Sequence, residues 1–131
     1  MVKLFQWLFG LSVICSPCAF LLADEEATPD YLYKIVTIGD WNASQVWSFL
    51  KVASYDRACI HLCTKAQVKE IAHKFFSQEV EVLVVTLDPE ELQGKLIKEK
   101  LPGASDESYR LHGGFIPLTS VVKYEPLQLQ Q

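Results

Sequence analysis

The chain has 131 residues, half of them apolar, and a formal net charge of −4. That length is one domain's worth of material. The acidic balance argues against nucleic acid or an anionic membrane surface as a partner.

Part of the apolar content is not core. Lys3 is followed by an uncharged apolar run to Cys15; Ser16-Pro17-Cys18-Ala19 breaks it, and Phe20-Leu21-Leu22-Ala23 leads into Asp24-Glu25-Glu26. A short basic start, an apolar stretch and a small residue before a polar segment make up a secretory signal, with cleavage expected after Ala23. The competing reading is an uncleaved anchor: residues 4–23 number 20, and a bilayer core needs about 20 apolar residues as helix. Pro17 and the single lysine favour cleavage. The expected location is therefore exported, periplasmic or secreted, with no membrane contact after cleavage and a membrane anchor if the signal is retained. Taking 23 residues from 131 leaves 108, and losing only Lys3 makes the net charge −5. That is enough chain for one core without staples.

Cys15 and Cys18 fall in the leader, leaving Cys59 and Cys63. In a strand those two are about 13 Å apart, beyond disulfide reach. Two buried thiols are expected, not a bridge.

Residues 24–30 read as a linker and 31–127 as a single domain. Tyr31-Leu32-Tyr33-Lys34-Ile35-Val36-Thr37-Ile38 predicts the first strand. Asp40 is placed to cap a helix carrying Trp41, Ala43, Val46, Trp47 and Leu50, both tryptophans serving packing. Ala58-Cys59-Ile60-His61-Leu62-Cys63 suits a buried strand. Thr64 with Gln67 three residues on is a capping-box signature, and Val68, Ile71, Ala72 and Phe75 then make one apolar helical stripe. Lys65, Lys69, Glu70, His73 and Lys74 take its wet side. Residues 80–87 predict a central strand, and Asp88-Pro89-Glu90-Glu91-Leu92 a capped turn. Residues 96–99 predict a short strand, 102–108 a loop, 111–114 the end of an extended piece, 121–127 the last strand and 128–131 a frayed tail. Short strands with two or three helices, in no strict βαβ rhythm, predict an α+β fold.

Three places carry candidate chemistry. Cys59, His61 and Cys63 share one strand face, and His61 stands just before a helix start, a place suited to an anionic or hydroxylated ligand. The competing reading is a core histidine satisfied by a backbone carbonyl. A zinc site on that strand is disfavoured, since alternate side chains are about 6.6 Å apart, and no metal is expected. The second place is Tyr109-Arg110-Leu111-His112-Gly113-Gly114, where Arg110 and His112 share a face and suit phosphate or carboxylate; the alternative is an edge strand with solvated charges. The third is Glu99, which shares a face with Ile97 and is expected to point inward. No nucleotide-loop, hydrolase-elbow, zinc-protease or calcium-loop motif is present.

Tyr33-Lys34-Ile35, Trp41, Ile60-His61-Leu62-Cys63-Thr64 with Gln67-Val68, Glu99, Leu111 with Gly113, Pro117-Leu118 and Val121-Val122 together resemble the bacterial domain of unknown function 952 family, over about residues 31–127. The resemblance implies a small mixed, split sheet related to the ADP-ribosyltransferase fold, around an NAD-sized cleft. It matches His61 and Thr64 to the family's His and following Ser/Thr, and Glu99 to its acidic residue. The family's later His-Leu-Tyr-Gly motif here reads Arg110-Leu111-His112-Gly113, with both polar positions changed. On this reading Glu99 and His61 are the candidate catalytic residues of an NAD-using transferase or hydrolase. His61, Thr64, Tyr109, Arg110 and His112 are the candidates for holding NAD or a similar small nucleotide-like ligand. The alternative function is a non-enzymatic exported binding or interaction module with a vestigial cleft.

Overall fold

The computed structural model describes residues 28–56, 58–100 and 107–130. The leader with Cys15 and Cys18, and most of the predicted 102–108 loop, lie outside the described residues.

β1 (Leu32–Val36) buries Leu32, Ile35 and Val36. Thr37 then turns the chain into α1 (Ile38–Trp47). The cap is Thr37 rather than Asp40: its side-chain oxygen accepts from the Asp40 N–H at 3.1 Å, satisfying a first-turn donor that has no helical partner. Trp41 packs against the core and stacks on Tyr124 with ring centroids 4.4 Å apart. Trp47 is 58 % exposed, so only one of the two tryptophans serves the core. Ser44, fully buried, donates to Asp40 O and accepts from Lys51 N, both at 2.7 Å, and so ties the helix to the chain that leaves it.

A single turn at Ser54–Asp56 precedes β2 (Cys59–Leu62). The capping box forms in part as predicted: Gln67 Oε1 accepts from Thr64 N at 3.0 Å and opens a tight turn that runs into α2 (Val68–Phe75). Val68 and Ala72 are buried, while Phe75 stays 56 % exposed. β3 (Glu81–Leu87) ends in a turn at Pro89–Glu91, capped by Asp88. β4 (Gln93–Glu99), β5 (Ser108–Phe115) and β6 (Val121–Gln128) complete the fold. β5 does not stop at the glycine pair. Gly94, at φ 124°, and Gly114 let two backbones meet where a Cβ on Gly114 would lie 1.7 Å from Gln93 O, and pairing continues through this bulge to Phe115. The tail is also held: Leu129 N donates to Val80 O at 2.8 Å, and Gln130 bonds Ser77 O and Glu79 O.

The strands form two three-stranded sheets, β1-β3-β6 and β2-β5-β4. A mixed sheet was predicted, but every ladder among the described residues is antiparallel. The reason is the route of the helices: α1 and α2 carry the chain from one sheet to the other and do not return it to the same sheet, which a parallel pair requires. Among the described residues the two sheets are joined by one backbone bridge, where Tyr33 N donates to Cys63 O at 2.8 Å and Cys63 N to Tyr33 O at 3.0 Å. Leu32, Val36, Leu83 and Val85 from one sheet meet Ile60, Leu62 and Leu111 from the other in the main core. Ile35, Cys63, Val68, Ala72 and Val82 form a second cluster under α2. Each fully buried aliphatic side chain contributes about 1.5–3 kcal/mol. Cys59 and Cys63 are free thiols, but only Cys63 is buried; Cys59 is partly exposed because it lies on the strand face turned away from the main core. No helix among the described residues is long and apolar enough to cross a membrane.

Candidate functional site

Past the Tyr33–Cys63 bridge, β1 and β2 part, and a lysine spans the gap. Lys34 shares a strand face with the buried Leu32 and Val36, so its stem runs inward and its side chain is only 11 % exposed. Its ammonium donates to His61 O at 3.0 Å and pairs with the Asp56 carboxylate. A side-chain donor thus serves a β2 carbonyl that no β1 amide reaches.

Asp56 comes from the turn before β2 and is 1 % exposed. Its Oδ1 accepts from His61 Nδ1 at 2.7 Å and, more weakly, from His61 N at 3.4 Å. Burial alone raises the Asp56 carboxyl. The charge of Lys34, followed by hydrogen bonds from the His61 ring, Lys34 and the His61 amide, outweighs it and holds the group below its ordinary 3.8. An anionic Asp56 can only accept, so the His61 proton sits on Nδ1. Among the described residues Nε2 has no protein partner, on a ring that is 49 % exposed.

That ring borders a cleft of about 270 Å³. Lys34, Asp56 and His61 form its polar edge, with Gln67 and Ser108 at the rim. Tyr33, Ile71, Phe75 and Phe76 line the apolar remainder. Phe75 therefore belongs to the predicted helical stripe but faces the cleft, not the core. Cys63 also lines it, yet its thiol donates to Tyr33 O at 3.5 Å, and burial pushes it up to about 11 against a smaller opposing pull from Lys34. It is a packing thiol.

The other predicted residues are distributed differently. Arg110 stands directly across from His61, and His112 across from Cys59, on the face of β2-β5-β4 turned away from the main core. Glu99 shares that face. Leu96, not Ile97, meets Leu111 on the core side, so the inward Glu99 predicted from the Ile97 pairing does not occur. Its Oε1 lies 2.8 Å from Arg110 Nε in an ion pair, each atom shielded from solvent and without an aligned hydrogen bond. Glu99, Arg110 and His112 do not line the cleft; Ser108, the cross-strand partner of Glu99, does. Tyr109 is only 7 % exposed and packs in the main core, on the opposite face from Arg110, because successive side chains of a strand alternate. Thr64 serves the start of the α2 segment and does not line the cleft. No group of three or more His, Cys, Asp or Glu among the described residues is placed to hold a metal ion.

The sequence reading missed Lys34 and Asp56. The signal for Lys34 was its inward position, between Leu32 and Val36, in an otherwise apolar strand. Asp56 had only its closeness to His61.

A family model described as "Protein of unknown function (DUF952)" matches residues 35–124. Among solved structures, the crystal structure of protein CC0527 from Caulobacter crescentus is similar with a TM-score of 0.65 and 21% identity, covering 75% of this chain and 86% of that one. The solution NMR structure of the same protein gives a TM-score of 0.57 and 20% identity, covering 76% and 86%. At such identity the likeness shows the fold alone. No curated protein matches. The family match runs from β1 into β6 and takes in both helices and the Asp56–His61 pair, so the chain belongs to the DUF952 family of proteins of unknown function.

Proposed function

We propose that this domain is exported and binds a nucleotide-like ligand, NAD or a smaller relative, in the cleft beside α2. The observation that supports this is His61, whose ring is fixed at Nδ1 by a buried carboxylate and presents at an aromatic-lined cleft an Nε2 without a partner among the described residues. A ribose hydroxyl donates to that nitrogen, while Tyr33, Phe75 and Phe76 offer surfaces for a base. Arg110, across the ladder from His61, reaches a phosphate once it leaves Glu99. The cleft, at about 270 Å³, falls just below the roughly 300–1,000 Å³ of most small-molecule pockets. It suits a mononucleotide, or one half of a dinucleotide. NAD is the first ligand to test because the sequence resemblance implies a relation to the ADP-ribosyltransferase fold. With Glu99 engaged by Arg110, the reading favours binding over NAD transfer or hydrolysis.

Calorimetric titration of the chain with NAD and with AMP tests it. Saturable binding that disappears in His61→Ala is expected, and no heat at millimolar nucleotide would remove the proposal. Export is tested by fusing residues 1–30 to a reporter active only outside the cytoplasm. A processed, active reporter is expected; an uncleaved, membrane-retained product would show an anchor instead.

A further inference from the structure

The face of β2-β5-β4 that carries Arg110 also holds a thiol and an imidazole in contact. Cys59 and His112 are directly opposed across the β2–β5 ladder, and Cys59 Sγ lies 3.5 Å from His112 Nε2. Lys95 stands across from His112 on the third strand, completing a row of thiol, imidazole and ammonium. In the next row His61 faces Arg110. Cys59 is partly exposed and free of any disulfide. It stands in contrast to Cys63, four residues on, which is 5 % exposed and donates to a backbone carbonyl.

We propose that Cys59 is a modification site, a thiol that exchanges with small anionic disulfides using His112 as its proton acceptor and donor. This is independent of the ligand proposed for the cleft. The step balances without a further reagent. His112 Nε2 takes the proton from Cys59, and the sulfur attacks one sulfur of a disulfide R–S–S–R. A bond forms between Cys59 Sγ and the attacked sulfur as the S–S bond of the disulfide breaks, leaving Cys59–S–S–R, and the departing R–S⁻ takes the proton back from His112 as R–SH. The disulfide is the oxidant, and the exported compartment proposed above is one where such disulfides persist. Arg110 is held by Glu99, so Lys95 is the cationic group beside His112 that draws an anionic disulfide.

The test treats the folded full-length chain with glutathione disulfide at pH 7 and follows modification by mass spectrometry. Trypsin releases residues 58–65, which carry both thiols, and fragment ions assign the mixed disulfide to one of them. The expected result is modification at Cys59 with Cys63 untouched, and at least about tenfold slower reaction in His112→Gln, in line with loss of general acid–base assistance. Protection of Cys63 reports that the variant is folded. Equal rates in the wild type and a folded His112→Gln chain would overturn the proposal, as would modification of Cys63 ahead of Cys59. If His112→Gln exposes Cys63, the wild-type rate decides. Cys59 reacting no faster in the folded chain than in a free peptide of residues 58–65 would then also overturn it.

Discussion

Replacing Asp56 with Asn is the sharpest structural perturbation available. Asp56 is 1 % exposed and Lys34 11 %, so the substitution takes the balancing carboxylate from a lysine ammonium at the sheet junction and leaves it only neutral acceptors such as His61 O. Breaking such a buried pair from one side costs about 3–5 kcal/mol, whereas an exposed pair gives about 0–1 kcal/mol. Urea unfolding of Asp56→Asn, followed by circular dichroism, should therefore lower the midpoint by at least about 1 M. The double variant Lys34→Met/Asp56→Asn should recover more than about 1 kcal/mol of the summed single losses, because the charge left unpaired is gone. A pH signature accompanies this. The Asp56 carboxyl is held below its ordinary 3.8, so between the folded and unfolded values the unfolded chain binds more protons and stability rises with pH. The contribution is complete above the unfolded value and is lost as pH falls through the folded one. Asp56→Asn should flatten that acid limb. A loss below about 1 kcal/mol, with an acid limb like that of the wild type, would refute the buried-pair account.

Two further substitutions probe other parts of the fold. At Gly114 a Cβ would lie 1.7 Å from Gln93 O, whereas at Gly113, φ 64°, it would meet open space. Gly113→Ala should cost about 1–2 kcal/mol for the left-handed backbone and Gly114→Ala at least about 3 kcal/mol for the backbone clash; thermal melts that reverse this order would contradict the β4–β5 bulge. Cys63 is raised by burial from 9.0 to about 11, so the folded chain holds its proton longer and loses stability as pH rises from 9 towards 11. Measured against Cys63→Ala, the wild type should lose about 2 kcal/mol more across that interval, and parallel alkaline limbs would show that the thiol is not buried.

Much of the fold was legible where one physical signal dominated. The run at 80–87 is β-branched enough to name a central strand, and the α2 stripe and the Gln67 side of the capping box needed only local spacing. The cap of α1 was misplaced because Thr37 and Asp40 are both good caps, and the start of the helix decides between them. Gly113-Gly114 read as a terminus because a bulge that needs glycine is set by the facing strand, which sequence alone does not reveal. The site was half legible. His61 stood out by type and position, but what holds it comes from two other segments, 27 and 5 residues away. Glu99 and Arg110 were assigned separate roles, and their pairing depends on the β4–β5 register, which a one-residue slip would undo. Tyr109 followed from its neighbours in sequence, although alternation turns it to the opposite face.

The central claim is that His61 Nε2 is the ligand-facing atom of the cleft. The chain has three histidines, of which His73 lies exposed on α2 and His112 contacts Cys59. With the imidazoles labelled with ¹⁵N, titration with AMP or NAD should move the Nε2 resonance of His61 saturably, leave its Nδ1 protonated and bonded to Asp56, and leave His73 unmoved. Saturable binding with the His61 resonances unchanged would contradict the account.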